Sequence, residues 1–166
     1  MTRLAAILVA AMIVGPVWAG FDEGNAAFNA GNYATAAREF LPLAEQGHIE
    51  AQTLLGWMYK LGSGVPQDYA EAVRWLRPAA EQGASLAMVE FGTMLANGQG
   101  VSRNNVLAYM WLNLAVSLVQ PTSDGLARVR EIAKRARDQV ARRMTSAQIA
   151  EAQRLAREWC AKHGKK

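Results

Sequence analysis

Side chains able to move protons, ligate a metal or attack a carbonyl are few in this sequence and widely separated. There are two histidines, His48 and His163, and one cysteine, Cys160. His48 with Glu50 has the groups for a metal contact or a proton relay, but its position at a turn accounts for it as a solvated residue. Neither HExxH nor a paired-cysteine spacing occurs, so a zinc site lacks ligands. Gly62-Ser63-Gly64 and Gly98-Gln99-Gly100 have the glycine density of a phosphate cradle. Neither follows a strand pattern or carries the adjoining Lys that would reach a phosphate, so both read as turns. Glu45 and Glu81 recur at one spacing and read as solvated helix ends, not as an acid–base pair. Together these residues predict a protein that is not an enzyme and that requires no cofactor and no metal.

The glycines and glutamates just named belong to a longer pattern. At an offset of 36 residues, Ala51, Gly56, Met58, Gly62, Gly64, Val65, Ala72, Trp75, Leu76 and Ala79 reappear as Ala87, Gly92, Met94, Gly98, Gly100, Val101, Ala108, Trp111, Leu112 and Ala115. The same shift backwards maps Tyr69, Ala72, Arg74, Pro78 and Ala80-Glu81-Gln82-Gly83 onto Tyr33, Ala36, Arg38, Pro42 and Ala44-Glu45-Gln46-Gly47. A fixed period of this length is the mark of a repeat architecture.

Each unit reads as two helices. Ala51, Leu54, Leu55, Met58 and Tyr59 recur at three- and four-residue steps and give the first helix one apolar stripe. Gly62 to Pro66 stop it, glycine by allowing a left-handed residue and proline by refusing to continue. Asp68 caps the second helix, with Glu71 placed to reach back in a capping box, and Ala72, Trp75, Leu76 and Ala79 form its buried face. Pro42 and Pro78 predict a kink or an irregular last turn. One pair cannot cover such a stripe alone, so successive pairs stack.

These residues resemble the Sel1-like repeat, a relative of the tetratricopeptide repeat. The features that carry the resemblance are Ala51, Leu55-Gly56, Gly62-Ser63-Gly64-Val65, Ala72, Trp75 with Ala79-Ala80, and Gly83. The next copy departs at Phe91, at Asn104 in place of Asp, and at Val116-Ser117-Leu118. The opening unit is closer to an ordinary tetratricopeptide repeat, with an interhelical loop four residues shorter. The resemblance implies an all-α fold, an αα-superhelix of about six helices over residues 20–121, and a role as a protein-interaction scaffold or adaptor. A cysteine-rich subgroup with a disulfide in each repeat resembles β-lactam-binding or β-lactam-hydrolysing proteins. That envelope-hydrolase alternative is not carried over, because Cys160 is the only cysteine here.

Beyond residue 121 the period ends, and two amphipathic capping helices are expected over 122–166. The first, to about Met144, presents Leu126, Val129, Ile132, Ala133, Ala136 and Val140 on one side. The second opens on a Thr145/Gln148 capping box and presents Ile149, Ala152, Leu155, Ala156 and Trp159.

The first 19 residues read as a cleaved export signal: Arg3, an apolar run from Leu4 to Val14, the Gly15-Pro16 break and Val17-Trp18-Ala19. A periplasmic or secreted location follows, with Gly20 as the first mature residue. Cys160 has no partner for an intramolecular disulfide and is far from the signal, which argues against lipid attachment. Formal net charge is +4, yet residues 20–120 carry five Lys/Arg against nine Asp/Glu, while 121–166 carry twelve against five.

Two surfaces are candidates for binding. The first helices of stacked pairs line an inner face, so Glu50, Thr53, Trp57 and Lys60, continued by Leu86, Val89, Thr93 and Asn97, are expected to meet a protein or peptide partner, with Asn25 and Phe28 extending the row. Trp57 lies off the apolar stripe, and its counterpart one period on is Thr93; it either anchors a partner or packs on the preceding repeat. The other candidate is the basic set Arg128, Arg130, Lys134, Arg135, Arg137, Arg142 and Arg143, read as a solvated face or as a peripheral contact with anionic lipid or an acidic protein. Export makes nucleic acid the partner class to set aside.

Overall fold

The computed structural model describes residues 17–164. Most of the expected export signal therefore lies outside the described residues; its last three positions open the first helix. Three helix pairs follow one another: α1 (Val17–Asn29) with α2 (Tyr33–Glu45), α3 (Ile49–Leu61) with α4 (Tyr69–Glu81), and α5 (Ser85–Asn97) with α6 (Asn105–Leu118). Two longer helices, α7 (Asp124–Ala141) and α8 (Ser146–His163), complete the chain, and no strand occurs among the described residues. The fold is an all-α solenoid of stacked pairs, with the helix boundaries set by the periodic residues.

The turn chemistry recurs with the period. Gly62 and Gly98 end α3 and α5 in the left-handed region, at φ 72° and 71°, and donate to the carbonyls of Met58 and Met94. The N–H groups of Asp68 and Asn104 donate to the carbonyls of Tyr59 and Leu95, folding each loop back on its own first helix. Asp68 then accepts from Ala70 and Glu71 N–H, and Asn104 from Leu107 N–H. Glu71 departs from expectation: it pairs with Arg74 at 3.3 Å. The Asp68 N–H it would have taken is already held by Tyr59. Pro42 and Pro78 sit inside α2 and α4, which run on for one more turn; the N–H of Gln46 is then shared between Pro42 and Leu43 carbonyls, a tightened last turn.

Within each pair the helices meet at a glycine. A Cβ on Gly56 or Gly92 would lie 2.6 or 2.9 Å from Leu76 or Leu112, and one on Gly24 would lie 2.5 Å from the larger ring of Phe40. Phe40, Leu76 and Leu112 are fully buried equivalents in the three pairs, each worth about 1.5–3 kcal/mol of burial. A polar chain links the second pair to the first: Gln82 at the end of α4 donates to Gln52 of α3 at 3.3 Å, and the buried Gln52 donates to the Ala44 carbonyl of α2 at 3.0 Å.

The last two helices clasp α6 from two sides. Ala133 and Val140 of α7, and Ala152 and Ala156 of α8, join the core around Leu112 and Trp111. The Thr145/Gln148 capping box forms with both hydrogen bonds, at 2.9 and 3.2 Å. Ile132 corrects the expected apolar face of α7: it is 55% exposed, one step off the line that meets α6. No helix among the described residues is long and apolar enough to cross a membrane.

Candidate functional site

The row of first helices, α3 and α5, is continued by α7, which lies beside α5 and runs in the same direction. At their C-terminal halves the two helices are close, with Thr93, Ala96 and Asn97 facing Ala136, Gln139, Val140 and Arg143 across a space of only about 60 Å³. At their N-terminal halves the row opens into a cavity of about 520 Å³. Its walls are Phe21 of α1, Ile49 and Leu54 of α3, Leu86 of α5, and Leu126 and Val129 of α7; the turn from Gln82 to Ser85 closes one end. Leu86 and Leu126 are 39% and 40% exposed, a large share for leucines.

One charge lines this groove, Glu50, whose side chain is 69% exposed and whose carboxylate lies 3.5 Å from His48 Nδ1. His48 caps α3 by accepting from Ala51 N–H at 3.3 Å, and its ring lies 4.5 Å from that of Phe21. Phe21 in turn packs on Phe40 at 5.8 Å. The capping residue of α3 and the core of the first pair thus fix the aromatic wall at the groove mouth.

The expected partner-binding residues do not form one face. Glu50 and Thr53 line the groove, but Thr53 is only 6% exposed and donates its hydroxyl hydrogen to the Ile49 carbonyl at 2.8 Å. Trp57 packs on the preceding repeat, its partly buried ring 5.7 Å from Phe28 and set against the core cluster that α2, α3 and α4 share. Lys60 is tied to Glu90 at 2.5 Å, a clip from α3 to α5. Val89 is buried at 2%, a correction to its placement on an open face. Thr93 and Asn97 face α7, with the Thr93 hydroxyl donating to the Glu90 carbonyl. The continuous face expected from Glu50 to Asn97 is therefore shortened, because α7 takes the next place in the row.

Phe21, Ile49, Leu126 and Val129 are groove residues not singled out from the sequence. Leu126 and Val129 carried a signal, the apolar face of α7, but that face alone does not say that its first turns stop short of α5. Leu86 stands one period after Glu50, so the groove uses one repeat position twice.

The basic set is also divided. Arg130 donates from Nε to the Val116 carbonyl in the last turn of α6 at 3.2 Å, and Arg137 reaches Asn113 at 3.4 Å and Asp138 at 2.8 Å. These two join α7 to α6, and Arg130 lies at the negative end of the α6 dipole. Arg128, Lys134, Arg135, Arg142 and Arg143 are exposed, and so are Asp124, Glu131 and Asp138 between them, so this face alternates in sign. On α8 the side-chain hydrogen bond from Arg154 holds the Glu151 carboxyl below its ordinary range, and Arg154 also pairs with Glu158.

A wider hollow of about 880 Å³ lies where the end of α8 passes the α4–α5 turn, lined in part by Leu118, Trp159, Cys160 and His163. There the His163 ring stacks on Trp159 at 4.4 Å, with Nδ1 2.9 Å from the Trp159 carbonyl. Among the described residues no group of three or more His, Cys, Asp or Glu is placed to hold a metal.

Residues 49–83 and 85–118 match the family model of the Sel1 repeat, and these spans coincide with the α3–α4 and α5–α6 pairs. Among solved structures the chain is similar to a protective antigen present in uropathogenic Escherichia coli strains, described as displaying an SLR fold. The identity is 29% and the TM-score 0.77, over 90% of this chain and 31% of the antigen. It is also similar in fold to a Sel1 repeat protein from Oxalobacter formigenes, with 24% identity and a TM-score of 0.55, over 70% of this chain and 55% of that one. This chain spans about a third of the first relative's length and about half of the second's. No curated protein matches the sequence.

Proposed function

Because this chain is a Sel1-repeat protein built as an all-α solenoid, we propose that it works as an interaction scaffold, holding a peptide segment of a protein partner in the groove between α3, α5 and α7. The observation that carries this reading is the cavity of about 520 Å³ with leucine, isoleucine, valine and phenylalanine walls. Apolar side chains entering it leave water, each contributing about 1.5–3 kcal/mol before the costs of ordering the peptide. The walls come from helices fixed by the shared core, so little reorganisation opposes binding. The export pattern of residues 1–19 supports a place of work in the cell envelope.

The reading is tested with Leu86→Gln. Leu86 sits on the groove wall and is 39% exposed, so the fold tolerates the change while the apolar wall is broken. The substitution is expected to abolish recovery of the protein that wild type co-purifies from an envelope extract, with an unchanged circular-dichroism spectrum. Equal recovery by wild type and Leu86→Gln contradicts the reading.

A further inference from the structure

The groove has a definite electrostatic character. Glu50 is its one charged lining residue, and its side chain is 69% exposed, at the rim and not on the floor. Two exposed residues that adjoin the walls in sequence are also acidic, Asp22 beside Phe21 and Asp124 two residues before Leu126. Some cations on α3, α4 and α7 are engaged elsewhere. Lys60 is bound to Glu90, Arg74 to Glu71, and Arg130 to the Val116 carbonyl. Arg128 beside Val129 is exposed, as is Lys162, which lines the neighbouring hollow that shares Ile49, Gln82 and Gly83 with the groove.

From this complementarity we infer that the groove selects a cationic amphipathic segment of its protein partner, with apolar side chains seated against Leu54, Leu86 and Leu126 and an adjacent Lys or Arg paired with Glu50. This rests on the groove being a peptide site. An ion pair at the lip of an apolar cavity is strengthened by the low-polarity wall beneath it, and at a partly exposed position it weakens with salt. An acidic segment meets Glu50 with no cation in the lining to offset it. Among the described residues of a second copy, Ala133 and Val140 of α7 and Ala152 and Ala156 of α8 are buried in the core with α5 and α6, so these parts of its cationic helices are not free to serve as the segment.

The test uses two labelled peptides with the same leucine spacing, one with Lys and one with Glu at the flanking positions, titrated by fluorescence anisotropy. Sedimentation velocity of the protein alone accompanies it. The Lys peptide is expected to bind about tenfold more tightly than the Glu peptide, a difference of about 1.4 kcal/mol. Glu50→Gln, at an exposed position, is expected to remove most of that difference, and Leu86→Gln to weaken both peptides. Equal binding, or a preference for the Glu peptide, overturns the selectivity while leaving the groove a peptide site. Binding of neither peptide overturns both. A dimer that Leu86→Gln dissociates assigns the groove to a second copy and overturns the inference as well.

Discussion

Gly100 lies so close to Tyr69 that a Cβ on the glycine would fall 2.1 Å from the tyrosine carbonyl oxygen. One period earlier Gly64 stands against Tyr33 in the same way, 2.3 Å from its carbonyl carbon. Each glycine loop thus presses on the first turn of the second helix in the preceding pair, and its φ of 65° or 74° is in the left-handed region. This contact sets the stacking register of the pairs, and it accounts for the Gly-x-Gly spacing that a phosphate cradle would otherwise explain.

Substituting these glycines separates contact from conformation. Gly83 also has a positive φ, 97°, but nothing within 4 Å of its would-be Cβ. Gly83→Ala is expected to cost about 1 kcal/mol, the conformational penalty alone. Gly100→Ala adds a backbone collision and is expected to cost about 3 kcal/mol or more. Urea unfolding of both variants checks the order; equal losses would show that the inter-repeat contact is loose.

Trp57→Ala is expected to destabilise the fold by about 2 kcal/mol, since the ring packs between the first two pairs against Phe28. Thermal unfolding measures it. Unchanged stability together with lost partner recovery would return Trp57 to the role of an exposed anchor.

Lys60 and Glu90 are both only partly exposed, at 20% and 17%, and join α3 to α5. A double-mutant cycle with Lys60→Met and Glu90→Gln is expected to give a coupling of about 1 kcal/mol, above that of most surface pairs. A coupling indistinguishable from zero would show that the clip does not hold the two helices together.

Ile132→Gln is expected to change stability by no more than about 0.5 kcal/mol, because the side chain is 55% exposed. Denaturant unfolding tests it, and a loss of 2 kcal/mol would place Ile132 back in the α7–α6 contact.

Expression of the full sequence in a bacterial host is expected to yield a periplasmic protein whose intact mass begins at Gly20. A mass that retains residues 1–19 would contradict cleavage.

The paired helices, their glycine stops and their buried faces could be read from the sequence because the groups that satisfy one another lie within one period. Asp68 caps its own helix, Gly62 ends the helix before it, and Gly56 meets Leu76 of the same pair. The groove was less legible. Its walls join residues as far apart as Phe21 and Val129, and α7 belongs to no repeat, so its apolar face named a buried side without naming its neighbour. Glu50 and Leu86 could be placed because they share a repeat position. Val89 could not, because the approach of α7 and the packing of α5 decide its burial. Arg130 and Arg137 read as part of a charged face, since an arginine that reaches a carbonyl or a side-chain amide of the neighbouring helix looks the same in sequence as one in water.

The central claim, that the opening between α3, α5 and α7 grips a partner, is tested most directly by a photo-crosslinking residue placed at Leu86 and, in a separate variant, at Ile132. Irradiation in the intact envelope is expected to give a discrete adduct with one partner from position 86 and none from position 132. Adducts of equal yield from both positions, or from 132 alone, would contradict the account.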